Sequence, residues 1–190
     1  MSNNLTTIIL IGPISAGKST IGELLAAKLA LPRYSMDEKR WDYYQEIAYD
    51  EELVKQKRES EDFWGVQHYW KPFEAYAVER LLSECNQGII DFGAGHSVYE
   101  DEVLFQKVRQ ALNPYKNVVL LLPSPNLNES VQILKERNEG IHDTIHEINE
   151  HFVRHPANSQ LAKFTVYTQG KTPEETCEEI INKTYPQQTY

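Results

Sequence analysis

The chain has 190 residues, of which 41% are hydrophobic and 25% are charged, and its 28 acidic and 19 basic residues give a formal net charge of −9 at pH 7. This length and composition are typical of one globular domain and exclude a disordered chain, a collagen-like repeat or a small disulfide-stapled fold. The negative charge gives no general attraction to polyanions, so neither a nucleic acid polymer nor a membrane surface is expected as a partner.

The features that bear on location favour the cytoplasm. The sequence starts without the basic segment of a secretory signal, and its longest apolar runs are far shorter than the roughly 20 residues that a membrane span needs. Cys85 and Cys177 lack the spacing of a metal site or a redox motif, as is usual in a reducing compartment. We expect both to be buried, unreactive thiols.

Four short apolar runs alternate with longer helical patterns along the chain. The runs cover residues 5–11, 88–92, 117–122 and 164–167 and are continuously apolar, as in parallel strands that helices cover on both faces. Helices are predicted over residues 18–30, 71–84, 101–112, 127–138 and 173–183. Asn126 is the predicted N-cap of one helix, and Thr172 before Pro173 that of another. This alternation predicts an α/β fold with a parallel sheet.

The loop after the first predicted strand carries the strongest functional pattern in the sequence. Residues 12–19 read Gly-Pro-Ile-Ser-Ala-Gly-Lys-Ser and match G-x-x-x-x-G-K-[ST], the Walker A pattern or P-loop. Glycines let successive backbone N–H groups face a phosphate, and the start of the following helix adds partial positive charge. A simple turn between a strand and a helix would not require Lys18 and Ser19 after the second glycine.

The P-loop predicts a site for ATP and Mg²⁺. Lys18 is expected to contact the β- and γ-phosphates, and the Ser19 hydroxyl is expected to bind Mg²⁺. Asp91 ends a predicted strand at the sheet edge where P-loop proteins place an acidic Mg²⁺ ligand, although an aspartate there can also cap a turn. The predicted nucleotide-binding residues of the loop are Gly12, Pro13, Ile14, Ser15, Ala16, Gly17, Lys18, Ser19 and Thr20.

Residues 41–76 differ from the rest of the chain because they hold all three tryptophans and ten of the twenty aromatic residues. We predict a helical insertion over residues 38–76 that covers one end of the sheet. The aromatic rings are interpreted as the core of this insertion, with a stacking platform for a planar ligand as the alternative.

Four histidines in a charged stretch form two pairs spaced four residues apart, which can place imidazoles on one helical face as metal ligands. They are His142, His146, His151 and His155. The acidic neighbours of these residues favour surface histidines over a zinc site. His155 has a further interpretation, which is a position near the substrate beside Arg154.

A P-loop alone does not separate kinases from other nucleotide-binding proteins. The guanine-reading Asn-Lys-x-Asp motif of GTPases is absent, and the chain is too short for the usual motor or transporter ATPase module. A small-molecule kinase is therefore favoured.

The order of these motifs resembles that of the shikimate kinases, within the wider group of small P-loop metabolite and nucleotide kinases. Residues 12–22 are very close to the opening of that family, and Tyr34-Ser35-Met36-Asp37 lies where the family has Tyr-Asp-x-Asp. Residues 70–74 resemble F-R-x-x-E, residues 93–95 take the place of a Gly-Gly-Gly substrate loop, and residues 154–156 match R-x-P.

The resemblance implies roles for individual residues on the acceptor side. Asp37 matches a substrate-binding aspartate, so Lys18 and Asp37 are the expected catalytic residues. Lys71 and Arg154 match positions that hold the substrate acid group. Arg137 is an expected nucleotide-binding residue, near the start of a mobile lid at about residues 138–156. The implied substrate-binding residues are Asp37, Lys71, Gly93, Ala94, Gly95 and Arg154.

Three departures from the family pattern bear on the substrate. Ser35 replaces an aspartate that helps to hold Mg²⁺, a role that Asp91 could take over. Lys71 replaces an arginine and loses the planar fork that recognises a carboxylate. The lid segment Arg-Pro-Leu-Leu has no counterpart around residues 138–144. These differences put shikimate itself in question more than they question phosphoryl transfer.

The sequence thus predicts a single domain over residues 1–190, a P-loop three-layer sandwich with a five-stranded parallel sheet in the order 2-3-1-4-5 that the resemblance implies. The predicted activity is ATP- and Mg²⁺-dependent transfer of a γ-phosphoryl group to a hydroxyl of a small anionic metabolite. The alternatives are a nucleoside or nucleotide kinase and a catalytically weakened ATP-binding regulatory protein. A monomer or weak dimer is expected.

Overall fold

Five parallel strands form one sheet in the predicted order 2-3-1-4-5, in a computed structural model that describes residues 7–186. The strands are β1 (Ile8–Ile11), β2 (Arg33–Ser35), β3 (Ile89–Asp91), β4 (Asn117–Leu122) and β5 (Phe164–Tyr167). Ile8 of β1 pairs with Ile89 on one side and with Asn117 on the other, so β1 is the central strand. The loop that follows β1 therefore leaves the middle of the sheet.

Helices cover both faces of this sheet. They are α1 (Lys18–Leu29), α2 (Met36–Gln45), α3 (Glu51–Glu59), α4 (Phe63–Glu84), α5 (Glu102–Leu112), α6 (Leu127–Arg137), α7 (Asp143–Arg154), α8 (Pro156–Leu161) and α9 (Pro173–Thr184), and a 3₁₀ turn covers Ala94–Ser97. Alternate residues of a strand point to opposite faces. Accordingly, Ile9 and Ile11 pack with α2, α4 and α5, whereas Ile8 and Leu10 pack with α1 and α9. The predicted three-layer sandwich is confirmed.

Two strands differ from the sequence prediction. The first starts at Ile8, and Leu5 and Thr6 of the predicted run 5–11 lie outside the described residues. Strand β2 is not visible as an apolar run, because its three residues include Arg33 and lie at the edge of the sheet, where they pair with β3. The other three strands agree with the prediction to within one residue at each end.

Helix α4 starts at Phe63, well before the predicted start at Lys71. Asp62 caps it by accepting a hydrogen bond from the Gly65 amide at 2.8 Å. Pro72 resembles a helix start, since proline is favoured at the first helical position, yet it lies inside α4. Proline removes one backbone hydrogen bond there, and the burial of nine residues along α4 outweighs that loss. The other predicted helices agree to within one residue.

The predicted helical insertion over residues 38–76 consists of α2, α3 and the first part of α4. Its rings pack against one another: the centroids of Tyr44 and Tyr49 lie 5.4 Å apart, and the Trp70 indole donates a hydrogen bond to the Tyr49 hydroxyl at 3.1 Å. These three residues belong to the main core, which confirms their interpretation as core residues. Trp41 and Trp64 remain 37% and 36% exposed.

Both predicted N-caps are present. The Asn126 side chain accepts hydrogen bonds from the first turn of α6. Thr172 accepts a hydrogen bond from the Glu175 amide at 3.1 Å, and the Glu175 carboxylate accepts one from the Thr172 amide at 2.8 Å. This reciprocal pair is a capping box, which satisfies two amide groups that the helix itself cannot.

The two cysteines are free and buried, as predicted. Burial raises the pKa of both thiols, that of Cys85 to about 11. Since the thiolate is the reactive form, both groups are unreactive at neutral pH. Over residues 7–186, every helix is too short or too polar to serve as a membrane span.

Candidate active site

The P-loop turns sharply between β1 and α1 and is shaped by two glycines. Gly12 has φ +139°, and a Cβ at this position would lie 2.5 Å from the Leu121 carbonyl oxygen of β4. Gly17 has φ +97° and forms the N-cap of α1, with open space where a side chain would begin. Only glycine adopts these conformations without strain. The backbone is therefore open toward the start of α1, as a phosphate cradle requires.

Lys18 folds back over this loop. Its ammonium donates hydrogen bonds to the carbonyl oxygens of Gly12 at 2.8 Å and of Pro13 at 2.7 Å. Burial lowers its pKa to about 8, although the nearby charges of Asp37 and Asp91 act in the opposite direction. The residue predicted to contact phosphate is thus a cation held by two neutral acceptors, which an anion can replace.

Residues from the end of α6 and from α7 hold the P-loop in place. The Asn149 side chain accepts from the Ile14 amide at 2.7 Å and donates to the Ile14 carbonyl at 3.2 Å. Ser15 donates to Asn138 at 2.6 Å, and the Arg137 guanidinium donates to the Ser15 carbonyl at 3.2 Å. Ser15 itself has φ +60°, a left-handed conformation that these contacts stabilise. Arg137 therefore lies beside the loop, and its contact with a nucleotide stays a prediction.

Ser19 and Asp91 meet beneath the loop. The Ser19 hydroxyl donates to Asp91 Oδ2 at 3.4 Å. Arg33 of β2 binds the same carboxylate with two hydrogen bonds, from Nε to Oδ1 at 2.8 Å and from a terminal nitrogen to Oδ2 at 3.0 Å. Gly22 of α1 leaves room for this pair, because a Cβ there would lie 3.2 Å from Asp91 Oδ1. Sequence reasoning misses Arg33, which no motif marks.

Two clefts flank the P-loop. One has a volume of about 270 Å³ and is lined by Ile14, Ser15, Gly17, Lys18, Ser19, Thr20, Asp37 and Ala94. The other has a volume of about 180 Å³, and its lining includes Thr20, Arg137 and Lys171. The hydroxyl of Ser19 and the carboxylate of Asp91 are oxygen ligands of the kind that Mg²⁺ prefers. The Ser19 hydroxyl and the open cradle at Gly17 fit a magnesium-bound nucleotide, whereas Asp91 is buried and would have to release Arg33 to bind the metal.

Asp37 lies in the first turn of α2 and forms part of the wall of the 270 Å³ cleft, together with Lys18 and Ser19. Its side chain is 55% exposed, and Oδ1 lies 3.5 Å from an Arg40 nitrogen. The structure therefore places both predicted catalytic residues on one cleft. Arg40 is a second residue that sequence reasoning misses, and its guanidinium lies 4.5 Å from the Trp41 ring centroid.

His96 is a third missed residue and lies fully buried behind the predicted substrate loop. Its Nδ1 has no hydrogen-bond partner among the described residues, and its Nε2 lies 3.3 Å from the Tyr44 hydroxyl. Burial lowers the pKa of His96 to about 3, so the ring is neutral at physiological pH. A Cβ at Gly93 would lie 2.7 Å from both His96 Nδ1 and Asp37 Oδ1. The absence of a side chain at Gly93 thus leaves a gap, and His96 Nδ1 and Asp37 Oδ1 both border it.

Lys71 is buried behind the same loop and already has two partners. Its ammonium donates to Glu74 Oε2 at 2.8 Å and to the Gly95 carbonyl at 3.1 Å. Glu74 is 2% exposed, and a side chain at Gly95 would overlap its carboxylate. In this structure Lys71 supports the loop 93–95, and its predicted contact with a substrate acid group stays a prediction.

Arg154 lies at the end of α7, and its side chain forms hydrogen bonds with residues of α7 and α6. Its guanidinium donates to Glu150 at 2.7 Å and to the Asn128 side chain at 2.8 Å. Residue 154 follows Asn149 by five positions, which is about 140° around an α-helix, so the two side chains leave different faces of α7. Asn149 faces the P-loop, whereas Arg154 contacts Glu150 and Asn128 instead. The substrate role of Arg154 stays a prediction.

The family of the chain follows from a comparison of sequences. A model of the shikimate kinase family matches residues 14–185. That range begins inside the P-loop and ends just after α9. None of the curated proteins matches the sequence.

Solved structures with the same fold include three small kinases. A shikimate kinase from Acinetobacter baumannii in complex with shikimate has a TM-score of 0.66 and 17% identity, over 97% of this chain and 96% of that chain. A shikimate kinase from Aquifex aeolicus has a TM-score of 0.59 and 22% identity, over 93% and 94%. A gluconokinase from Sinorhizobium meliloti has a TM-score of 0.58 and 14% identity, over 95% and 92%. At these identities, the likeness shows a shared fold.

Proposed function

Since the chain belongs to the shikimate kinase family and is a small-molecule kinase with a P-loop, we propose that it transfers the γ-phosphoryl group of ATP, with Mg²⁺, to a hydroxyl group of a small anionic metabolite. The observation that carries this proposal is that Lys18, Ser19 and Asp37 line one cleft of about 270 Å³. A phosphate-binding cation, a hydroxyl ligand and an exposed carboxylate are the groups that such a transfer requires.

Each of these residues has a defined task in the proposed reaction. Lys18 exchanges its two carbonyl partners for phosphate oxygens and offsets their charge. Asp37 accepts or orients the proton of the attacking hydroxyl, and its exposure leaves it accessible to a substrate. The Ser19 hydroxyl would hold the metal, together with the Asp91 carboxylate once Arg33 releases an oxygen, and a bound metal would neutralise charge on the phosphates. Catalysis of this kind depends mainly on placement and charge.

The proposed acceptor is a hydroxy acid. Two of the structures with this fold are a kinase bound to shikimate and a gluconokinase, which makes shikimate and gluconate the first compounds to test. Lys71 and Arg154 both have carboxylate partners within the protein. Arg40 lies beside Asp37, and its buried Nε has no hydrogen-bond partner among the described residues. We therefore add Arg40 to Lys71 and Arg154 as a proposed anchor of the acid group.

We also propose that residues 1–190 form a single domain in which residues 138–156 act as the lid. The support is the contact of Asn138 and Asn149 with the P-loop, which joins this segment to the nucleotide site. The aromatic residues of 38–76 form the acceptor-side insertion next to Asp37.

The experiment that tests the proposed function is a measurement of ADP release with purified protein, ATP and Mg²⁺. The acceptor panel contains shikimate, gluconate, other hydroxy acids, neutral sugars and nucleosides. ADP release that a hydroxy acid stimulates, and that Lys18→Met abolishes, is the expected result. Stimulation by nucleosides alone would instead identify a nucleoside kinase.

One observation favours a second candidate function, a regulatory protein that binds ATP without transferring phosphate. Arg33 occupies both carboxylate oxygens of Asp91, and Ser35 stands where the family has an aspartate. This candidate predicts ATP binding with no acceptor-stimulated ADP release across the panel.

A further inference from the structure

The two histidine pairs near the C-terminal end of the chain have different surroundings. His142 caps α7, and its Nδ1 accepts a hydrogen bond from the Thr144 amide at 3.2 Å. His151 and His155 lie at the other end of α7, where Glu100 approaches from the segment before α5. One ligand atom from each of Glu100, His151 and His155 lies within 4.8 Å of the others. Over residues 7–186 no other group of three such residues meets this criterion.

The three side chains already converge. His151 Nε2 lies 2.6 Å from Glu100 Oε1, and the ring centroids of His151 and His155 are 5.2 Å apart. Two ligand atoms of a tetrahedral zinc ion, each at roughly 2.0 Å from the metal, are separated by about 3.3 Å. The His151–Glu100 contact of 2.6 Å must widen, and a ligand pair near the 4.8 Å limit would have to move closer together. The side chains of His151 and Glu100 are 31% and 40% exposed, so such adjustments are open to them.

The ligand set points to a transition metal instead of magnesium. Two imidazoles and one carboxylate suit Zn²⁺, Ni²⁺ and Cu²⁺, whereas Mg²⁺ prefers oxygen ligands and several waters. Nδ1 of His155 accepts a hydrogen bond from the Ala157 amide at 3.2 Å, so the neutral ring carries its proton on Nε2. Coordination moves the proton of the ring from Nε2 to Nδ1, and α8 gives up that cap hydrogen bond.

The charge of Lys71 acts on the carboxylate of Glu100. Lys71 is itself balanced by Glu74 at 2.8 Å. The surroundings of the cluster therefore carry no uncompensated positive charge from Lys71 that would repel a cation.

We propose that Glu100, His151 and His155 form a binding site for one divalent transition-metal ion, with Zn²⁺ as the best match and water completing the coordination. The site is separate from the Ser19–Asp91 pair at the P-loop and does not depend on the proposed kinase function. Helix α7 also carries Asn149, which contacts the P-loop. A bound ion would therefore link α7 to the segment around Glu100 that follows the loop 93–95.

The test is a zinc titration of untagged, metal-free protein by isothermal calorimetry, without nucleotide. The expected result is one Zn²⁺ per chain. Changes to residues that only support metal ligands weaken metal affinity by about 10–100-fold, so His151→Ala, which removes a ligand, is expected to weaken binding by at least about 100-fold. Glu100→Gln keeps an oxygen but loses the charge, and a smaller loss of about tenfold is expected.

The matched control is the double variant His142→Asn, His146→Ala. It removes the other pair with the same spacing, while asparagine preserves the cap of α7. Its zinc affinity should equal that of the unchanged protein. The proposal would be overturned if the control and His151→Ala lost the same zinc affinity, or if the unchanged protein did not bind zinc stoichiometrically.

A second readout uses the Trp64 ring, whose centroid lies 5.4 Å from that of His151. Ni²⁺ bound at the site should quench the emission of Trp64, and Trp64→Phe should remove this response without changing zinc affinity in the calorimeter. Glu100 is exposed, so Glu100→Gln keeps the proposal testable even where His151→Ala fails to fold. Quenching that persists in Glu100→Gln with undiminished nickel affinity would contradict the assignment.

Discussion

Lys18 is a buried cation whose hydrogen-bond partners are two neutral carbonyl groups of its own loop. Burial lowers its pKa to about 8 against the opposing effect of Asp37 and Asp91. A phosphate at the loop would stabilise the charged form and raise this pKa again. As the pH rises through 8, the free protein loses the proton while the complex keeps it. ATP binding is therefore expected to take up a proton at about pH 8.5 and to take up almost none near pH 7.

Calorimetry of ATP binding at about pH 8.5, in two buffers with different ionisation enthalpies, measures this uptake. The Lys18→Met variant should show weaker binding and the same heat in both buffers. A heat that does not depend on the buffer in the unchanged protein would contradict the assignment of Lys18 to the phosphates.

Asp37 offers a test of chemistry with little effect on folding, because its side chain is 55% exposed. Asp37→Asn keeps the shape and removes the charge. ATP affinity should be preserved, while acceptor-dependent turnover should fall by about 10²–10⁴-fold, the range for a lost general base. Steady-state kinetics with the acceptor found in the panel gives this result. An unchanged turnover with altered Mg²⁺ dependence would mean that Asp37 serves the metal.

Asp91 is expected to matter for stability as well as for the metal, because it is 2% exposed and binds Arg33 with both oxygens. Removing one partner of a buried ion pair leaves the other without compensation, which costs about 3–5 kcal/mol. Glu23 and Glu38 lie within 4 Å of Arg33 and reduce this cost. Asp91→Asn should therefore lower the free energy of unfolding by about 3 kcal/mol. Urea denaturation measures the loss, and a midpoint equal to that of Asp37→Asn would contradict it.

At the scale of elements, helix α7 holds the P-loop through the Asn149 side chain, in addition to the packing of Ile14 against a cluster that contains Ile148 and Phe152. Asn149 is 4% exposed and satisfies both the amide and the carbonyl of Ile14. Asn149→Ala leaves these two groups without that partner, so the loop should open more often. Hydrogen exchange of a peptide that covers residues 12–19 should become faster. Glu147→Ala, an exposed change on the same helix, is the control and should leave the exchange rate unchanged.

The elements also show which parts of the site a single sequence can reveal. The P-loop was predictable because all its chemical requirements fall within eight adjacent residues, Gly12–Ser19. The Arg33–Asp91 pair depends on the register in which Ser35 lies opposite Asp91, and nothing in the local pattern of β2 specifies that register. Asn149 is 135 residues away from Ile14 along the chain. Contacts between residues so far apart leave no periodic pattern in the sequence, and sequence reasoning therefore missed them.

Helix ends were predicted correctly where neighbouring residues determine them and incorrectly where distant contacts do. Thr172 and Asn126 were recognised because a cap acts on residues two or three positions away. The start of α4 was misplaced because the helix packs against α2, α3 and α7, and these contacts are not visible in its local pattern. The resemblance supplied the strand order, which local patterns alone do not determine.

At the scale of the whole molecule, all three tryptophans lie within residues 38–76, the proposed insertion. Tryptophan emission therefore reports that part, whereas far-UV circular dichroism reports every helix. The insertion shares the core of the sheet through Tyr44 and Trp70, so a single domain should unfold in one step. The two signals are expected to give the same urea midpoint. An earlier fluorescence transition would show that the insertion is a separate unit.

The hydrogen bonds between Ile14 and Asn149 also set an order of events during synthesis. Ile14 leaves the ribosome long before Asn149, and at about 5–20 residues per second the 135 residues between them take roughly 7–27 s to add. The neighbours of β1 in the sheet, β3 and β4, are also made only in that interval. During this interval the phosphate-binding loop lacks the contacts with Asn149, β3 and β4. It therefore reaches its final shape only when most of the protein has been translated.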